Sequence, residues 1–202
     1  MISSKQLTTD LMAYLRFQRR IFLLATEVKY NKCRSDVLAL DDKNITEFEV
    51  KVSKADFLKD FEKQLTTGWR KWKTKVSKHA MYNGTVETTK TYFAPHYFYF
   101  VVPESLAAFV KEKCAEYPSY GVMSWSLDNK YRIKVEKTAR ALNKEPLNKK
   151  VMQKILQRAT SELVKLRAKL YSTELSLPEE EDLEEADQEE LSLPSPEQEI
   201  PT

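Results

Sequence analysis

The sequence predicts an α/β domain over residues 1–171, followed by a disordered acidic tail over residues 172–202. Three features carry that prediction. Residues 45–52 alternate, with Glu47, Glu49 and Lys51 on one side and Phe48, Val50 and Val52 on the other. This is the period of a half-buried strand. Residues 148–171 place Val151, Ile155, Ala159, Leu163, Leu166 and Leu170 on one stripe at helical spacing. From Glu174 onward there are 12 acids and no lysine or arginine, with prolines and few large apolar side chains, a composition that does not support a packed core.

With that tail set aside, all 33 basic residues stand against the remaining 18 of the 30 acids, a net charge of +15 on the domain. A body that basic predicts a polyanionic partner, DNA or RNA; a solvated basic surface is the alternative. Three glycines leave no Gly-rich phosphate loop. The longest apolar and aromatic run, residues 97–102, is far too short to cross a membrane. The first residues lack the charged start and apolar run of a secretory signal. Cys33 and Cys114 make no disulfide framework. A cytoplasmic location with no membrane partner is therefore expected. Two histidines and no paired cysteine spacing argue against structural zinc.

Taken in order, residues 8–20 read as a helix capped by Thr8, Thr9 or Asp10, with Leu11 and Leu15 on its apolar face and Arg16, Arg19 and Arg20 outside. The apolar run 21–28 is either the end of that helix or a buried first strand. Glu27 at its end is either an exposed terminus or a site acid. Asp36 opens a strand, apolar on both sides as far as Leu40, which belongs inside a sheet. A turn over residues 41–44, rich in Asp and Asn, leads into residues 45–52. The two strands then pair antiparallel, bringing Asp36 across from the acids of the next strand.

Residues 53–65 read as a helix capped by Ser53, with Phe57, Leu58, Phe61 and Leu65 as its stripe. Residues 69–81 read as a second helical piece. Here Arg70, Lys71, Lys73, Lys75 and Lys78 interleave with Trp69 and Trp72, as in a surface that tracks phosphates and stacks bases. The alternative is a helix packed through its tryptophans with a solvated lysine face. A loop with a turn at Asn83-Gly84 follows. Next come an aromatic strand over 96–102, a helix from Pro103 to about Tyr117, and two strands over 120–126 and 131–135 about a turn at Asp128-Asn129.

Acids and an amine on one strand face suit phosphodiester hydrolysis, which needs a metal to neutralise the phosphate and an activated water. Magnesium takes one or two carboxylates and fills its other positions with water and substrate oxygens. Asp36 and Glu49 on neighbouring strands can supply them, with Glu47 as a rival on the same face. Lys51 stands about 6–7 Å along the strand from Glu49, placed to orient water or to stabilise developing negative charge.

Asp36, then Glu49-Val50-Lys51, with Glu27 upstream, resembles the signature of the PD-(D/E)XK nuclease superfamily. Residues 34–40, 49–57 and 97–103 are similar to its MmcB-type DNA-repair branch, over about residues 23–142. The resemblance implies a restriction-endonuclease-like core of a helix, three strands, a helix and a strand, with the C-terminal helix and the tail outside it. It implies Mg2+, replaceable by Mn2+, held by Asp36 and Glu49, with Lys51 as the partner of the water. Glu27 is the implied upstream acid that binds metal or orients water. By its spacing to Lys51 the motif selects Glu49 over Glu47. Ser35 stands where the motif has proline, a position where proline is often missing. His79 and Tyr82 fall where related nucleases carry polar residues, which implies contacts to the scissile phosphate.

The function so implied is that of a metal-dependent deoxyribonuclease in repair, recombination or defence. A homodimer would suit cleavage of both strands, although the sequence shows no coiled-coil seam. Two alternatives stand beside it. One is a nucleic-acid-binding protein that keeps the fold without the chemistry. The other is an interaction protein whose tail, with its repeat of Glu-Leu-Ser-Leu-Pro at residues 174–178 and 190–194, recruits a protein partner. The acidic tail is also suited to fold back on the basic body and compete with nucleic acid.

Overall fold

The computed structural model of the chain describes residues 2–30, 33–41, 43–67, 74–84, 94–147 and 149–171. The first helix, α1 (Ser4–Ala13), is capped by Ser3, whose Oγ accepts the Gln6 amide at 3.2 Å. It begins earlier than residue 8 because Ser3, rather than Thr8, Thr9 or Asp10, satisfies a first-turn amide. Tyr14–Gln18 widens into a π-type turn closed by the Arg19 amide on the Tyr14 carbonyl at 3.1 Å. The apolar run that follows is a strand, β1 (Leu23–Tyr30), rather than a continuation of the helix. With β2 (Cys33–Leu40) and β3 (Ile45–Val50) it forms an antiparallel meander, Thr26 opposite Val37 and Val37 opposite Phe48. The β2–β3 turn is shaped by Asp41, whose Oδ1 accepts the amides of Lys43 at 3.0 Å and Asn44 at 2.7 Å.

Helix α2 (Lys54–Glu62) starts at the Ser53 cap and stops short of residue 65. Beyond it, β4 (Gln64–Thr67) pairs antiparallel with β5 (Thr74–Ser77). This corrects the expected helix over residues 69–81: residues 74–77 are strand, and only α3 (Lys78–Tyr82) is helical. Thr66, Thr67, Thr74 and Val76 are β-branched and favour the extended form, which outweighs the helical reading of the lysines. Arg70, Lys71 and Lys73 lie outside the described residues, as does the Lys75 side chain.

The chain then runs through β6 (Tyr97–Pro103), α4 (Glu104–Lys113), β7 (Gly121–Trp125), β8 (Ile133–Lys137) and α5 (Lys149–Leu170). Among the described residues the main sheet has the order β1-β2-β3-β6-β7-β8, with β6 parallel to both β3 and β7, and β8 antiparallel. The fold is α/β. The parallel step from β3 to β6 needs a crossover, and α2, the β4–β5 hairpin and α3 all lie within it.

One core sets Val37, Ala39, Phe48, Val50, Val101 and Met123 of the sheet with Leu7, Leu11 and Leu15. A second sets Phe98, Phe100, Val102 and Val122 with Phe57, Met81, Tyr82, Ala107 and Val110. A third gathers Ala25, Val28, Leu38, Leu40 and Ile45 with Val151 and Ile155. Ala25 and Val28 are three residues apart in a strand yet share that cluster. Glu27 between them has a φ of 51°, a left-handed conformation that breaks the alternation. The chain divides into two compact units, Met1–Glu162 and Leu163–Thr202. In α5, Val151 and Ile155 are buried, whereas Leu163, Leu166 and Leu170, expected on the same buried stripe, are exposed. The tail lies outside the described residues. Among the described residues no helix is long and apolar enough to cross a membrane.

Candidate active site

The register of β3 sets Glu47 beside Leu38 and Phe98, and Glu49 beside Phe100. The alternation read from the sequence is therefore real, but the charged side faces a core and not water. Glu47 and Glu49 are fully buried, and Lys51 is 4% exposed. Burying such charges is expensive unless each is paired at close range, and the neighbouring elements supply the pairs.

Lys51 Nζ lies 2.9 Å from Glu49 Oε2 and 2.9 Å from Asp60 Oδ1 of α2. Lys78, at the start of α3, places its Nζ 2.5 Å from Glu49 Oε1 and 2.6 Å from Glu47 Oε1. Lys63 reaches Asp60 Oδ1 at 2.6 Å and Glu49 Oε2 at 3.7 Å, and it is half-exposed. Tyr82 donates its hydroxyl to Glu47 Oε2 at 2.6 Å. The contacts at Glu47 Oε1 and Asp60 Oδ1 are ion pairs without aligned hydrogen bonds. Burial works against the charges of Glu49, Lys51, Asp60 and Lys78. Against it, Lys78 and then Lys51 and Lys63 hold the Glu49 carboxyl below its usual value, although Asp60 opposes them. Glu49, Asp60 and Asp36 raise Lys51 in the same way, so it stays an ammonium.

Asp36 is differently placed. The β2–β3 ladder ends at Val37 and Phe48, and the next amide of β3 on that side, that of Val50, donates to Asp36 Oδ2 at 2.7 Å. The Lys51 amide meanwhile bonds the Val101 carbonyl at 3.0 Å, so β3 stays joined to β6 where it leaves β2. Burial and the nearby Glu49 charge push Asp36 up to about 6, against the pull of Lys51, the Val50 amide and Lys63. Glu49 is well supplied with positive charge, and Asp36 is short of it.

The fold thus brings together Asp36, Glu49 and Lys51, and adds Glu47 to the same group. It leaves Glu27 out of it. That side chain is 57% exposed and pairs with Arg34 at 3.7 Å and Arg158 at 3.8 Å. Lys78, His79 and Tyr82, read from sequence as part of a nucleic-acid surface, are buried. The hairpin before α3 turns this one helical turn into the core, so these side chains hold the acids in place and present no outer face to a polyanion. Sequence reasoning missed Asp60 and Tyr120. The only signal for Asp60 is its position on the face of α2 that carries Phe57 and Phe61.

Among the described residues, no group of three or more His, Cys, Asp or Glu side chains is arranged to hold a metal ion. A hard divalent cation would rest on Asp36 and Glu49, with water and substrate completing its shell. Both groups are hard carboxylate donors; Asp36 is raised for want of positive charge, which a cation would relieve, whereas each Glu49 oxygen already has a lysine ammonium within 3 Å.

No family model matches the chain, and no curated protein matches it. Among solved structures the chain is similar to the SPO1766 protein of unknown function from Silicibacter pomeroyi, with a TM-score of 0.54 and 19% sequence identity, covering 88% of this chain and 99% of that one. At that identity the likeness shows the fold alone.

Proposed function

We propose that the protein is a metal-dependent nuclease that hydrolyses phosphodiester bonds of DNA, with Mg2+ or Mn2+ held by Asp36 and Glu49. The observation that carries this reading is a half-buried acid pushed up to about 6 at the splayed end of β3, beside a second carboxylate and an ammonium fixed in its charged state. A bound divalent cation neutralises the phosphate and makes its water acidic. Lys51 holds a positive charge where negative charge develops on the phosphorus oxygens. Asp36 and Glu49 would hold the ion, and the packing around Lys51 and Lys78 keeps bulk water away. The order α1-β1-β2-β3-α2-β6 supports a restriction-endonuclease-like core in which β4, β5 and α3 are an insertion. Arg70, Lys71, Lys73 and Lys75, next to or within that insertion, are the proposed DNA contacts, together with the wider basic surface.

A second reading is favoured by one observation. Each Glu49 oxygen lies within 3 Å of a lysine ammonium, as in a closed ionic network that only holds β3, α2 and α3 together. Under that reading the protein binds nucleic acid without cutting it. Plasmid, single-stranded and branched DNA incubated with Mg2+, Mn2+ or chelator separate the two. Metal-dependent cleavage that disappears in Asp36→Asn supports the nuclease. Binding without cleavage on every substrate, unaffected by metal, supports the second reading.

A further inference from the structure

Asp60 is placed where neither its helix nor its core has use for it. It sits in the last turn of α2, where the helix dipole disfavours an acid. It is fully buried on the helix face that carries Phe57 and Phe61, where an apolar residue would pack without any desolvation penalty. Yet both its oxygens are engaged. Oδ1 faces Lys51 at 2.9 Å and Lys63 at 2.6 Å, and Oδ2 lies 2.9 Å from His79 Nε2. The imidazole is fixed in turn: its Nδ1 is 2.8 Å from the Tyr120 hydroxyl, and its ring stacks on Phe61 at 4.3 Å. The Asn83 amide donates to the same hydroxyl at 3.2 Å. A buried chain therefore runs from Tyr120 through His79 and Asp60 to the Lys51 ammonium.

A lysine is a point charge on a flexible four-carbon stem with three N–H donors. Glu49 alone would leave Lys51 free to rotate about one contact. A second carboxylate on another element, 2.9 Å away on the Asp60 side, pulls the ammonium from a second direction while its hydrogen bond to Glu49 holds it from the first.

We propose that Asp60 is a positioning residue for the Lys51 ammonium, held in place by His79 and Tyr120. The inference rests on the nuclease reading for its effect on rate, and on geometry alone for its effect on Lys51. The full-length protein tests it through two readouts. The first is the side-chain ammonium resonance of Lys51 in 15N-labelled protein, assigned through its own side-chain carbons. The second is metal-dependent cleavage of plasmid DNA, resolved into kcat and KM. Asp60→Asn keeps the shape but removes the charge and turns one of the two acceptor oxygens into an amide donor. It should shift or broaden away the Lys51 resonance and lower kcat about 100-fold with KM within about twofold, the scale expected when a reacting group is misplaced. Tyr120→Phe, which removes only the hydroxyl at the far end of the chain, should move both readouts the same way by about tenfold less, and it serves if Asp60→Asn does not fold. If the wild type cleaves and neither variant changes the Lys51 resonance or kcat, the inference fails and the nuclease reading stands. If the wild type does not cleave but the resonance moves, the nuclease reading fails and Asp60 still positions Lys51. A resonance that stays unmoved in a protein that does not cleave overturns both.

Discussion

Replacing Asp36 by asparagine should make the protein more stable at neutral pH while removing the proposed metal ligand. Burial and the Glu49 charge raise this carboxyl from 3.8 to about 6 in the folded state. The sign follows from proton linkage. Between those two values the native state binds more protons than the unfolded chain, so stability falls as pH rises. The penalty is absent below about pH 4 and complete above about pH 6. At about 1.4 kcal/mol for each pKa unit, its full size is about 3 kcal/mol. Asp36→Asn escapes it, and the asparagine carbonyl can still accept the Val50 amide that Oδ2 now holds at 2.7 Å. Urea unfolding of both proteins at pH 4 and pH 8 measures the effect. The difference should be near zero at pH 4 and reach about 3 kcal/mol in favour of the variant at pH 8, a rise in Tm of about 6–12 °C for a chain of this size. Mg2+ should narrow the gap by stabilising the wild type alone. A variant less stable than wild type at pH 8, or a gain independent of pH, would refute the electrostatic account of Asp36.

Other perturbations follow from contacts already described. Lys78→Met leaves Glu47 and Glu49 buried without their shared ammonium; it should cost about 3–5 kcal/mol in urea unfolding at pH 8 and less at pH 5, where the exposed demand for charge can be met by protons. Gly121→Ala brings a Cβ to 2.2 Å from Tyr99 Cε1 and 2.9 Å from the Ala139 amide nitrogen. Because the Tyr99 hydroxyl is pinned by that same amide at 3.1 Å, the ring cannot swing away, and a loss of about 1–3 kcal/mol is expected in thermal unfolding. His96 accepts the Ile45 amide on Nδ1 at 3.0 Å and donates from Nε2 to the Glu145 carbonyl at 2.9 Å. His96→Ala should cost about 1–3 kcal/mol and open residues 142–147 to limited proteolysis. Cys114 is buried, its thiol pushed up to about 12 by burial despite Lys137; iodoacetamide at pH 8 should modify it only after unfolding, as read by mass of the peptide that contains it.

How far the site was legible in the sequence depends on the range of the contact that made it. The period of two over residues 45–52 put Glu47, Glu49 and Lys51 on one face, and a turn rich in Asp and Asn brought Asp36 beside them; both are local signals. What lies on the far side of the site was not legible. Asp60 stands in the charged stretch with Lys59, Glu62 and Lys63, so it reads as part of a solvated helix face, and only its register with Phe57 and Phe61 marks it as inward. Lys78 reads as the last of a run of helical lysines. It becomes a buried counter-ion only because the β4–β5 hairpin reverses the chain and sets α3 against the sheet. Tyr120 is separated from His79 by 41 residues, and no period in the sequence links them. The first three strands were equally local, whereas the ends of α1 and α2 were set by the Ser3 cap and by the pull of a β hairpin.

The hydrogen bond from Val50 to Asp36 gives the chain a built-in reporter. An amide that would otherwise end a ladder unpaired is instead protected by a carboxyl that burial and the Glu49 charge push up to about 6. The protection factor of that single amide in hydrogen exchange should fall as Asp36 takes up its proton, and it should change again when a cation draws on the same carboxylate. Whether the acid is protonated, ionised or ligated can thus be followed at one backbone position, in the intact protein, without any substrate.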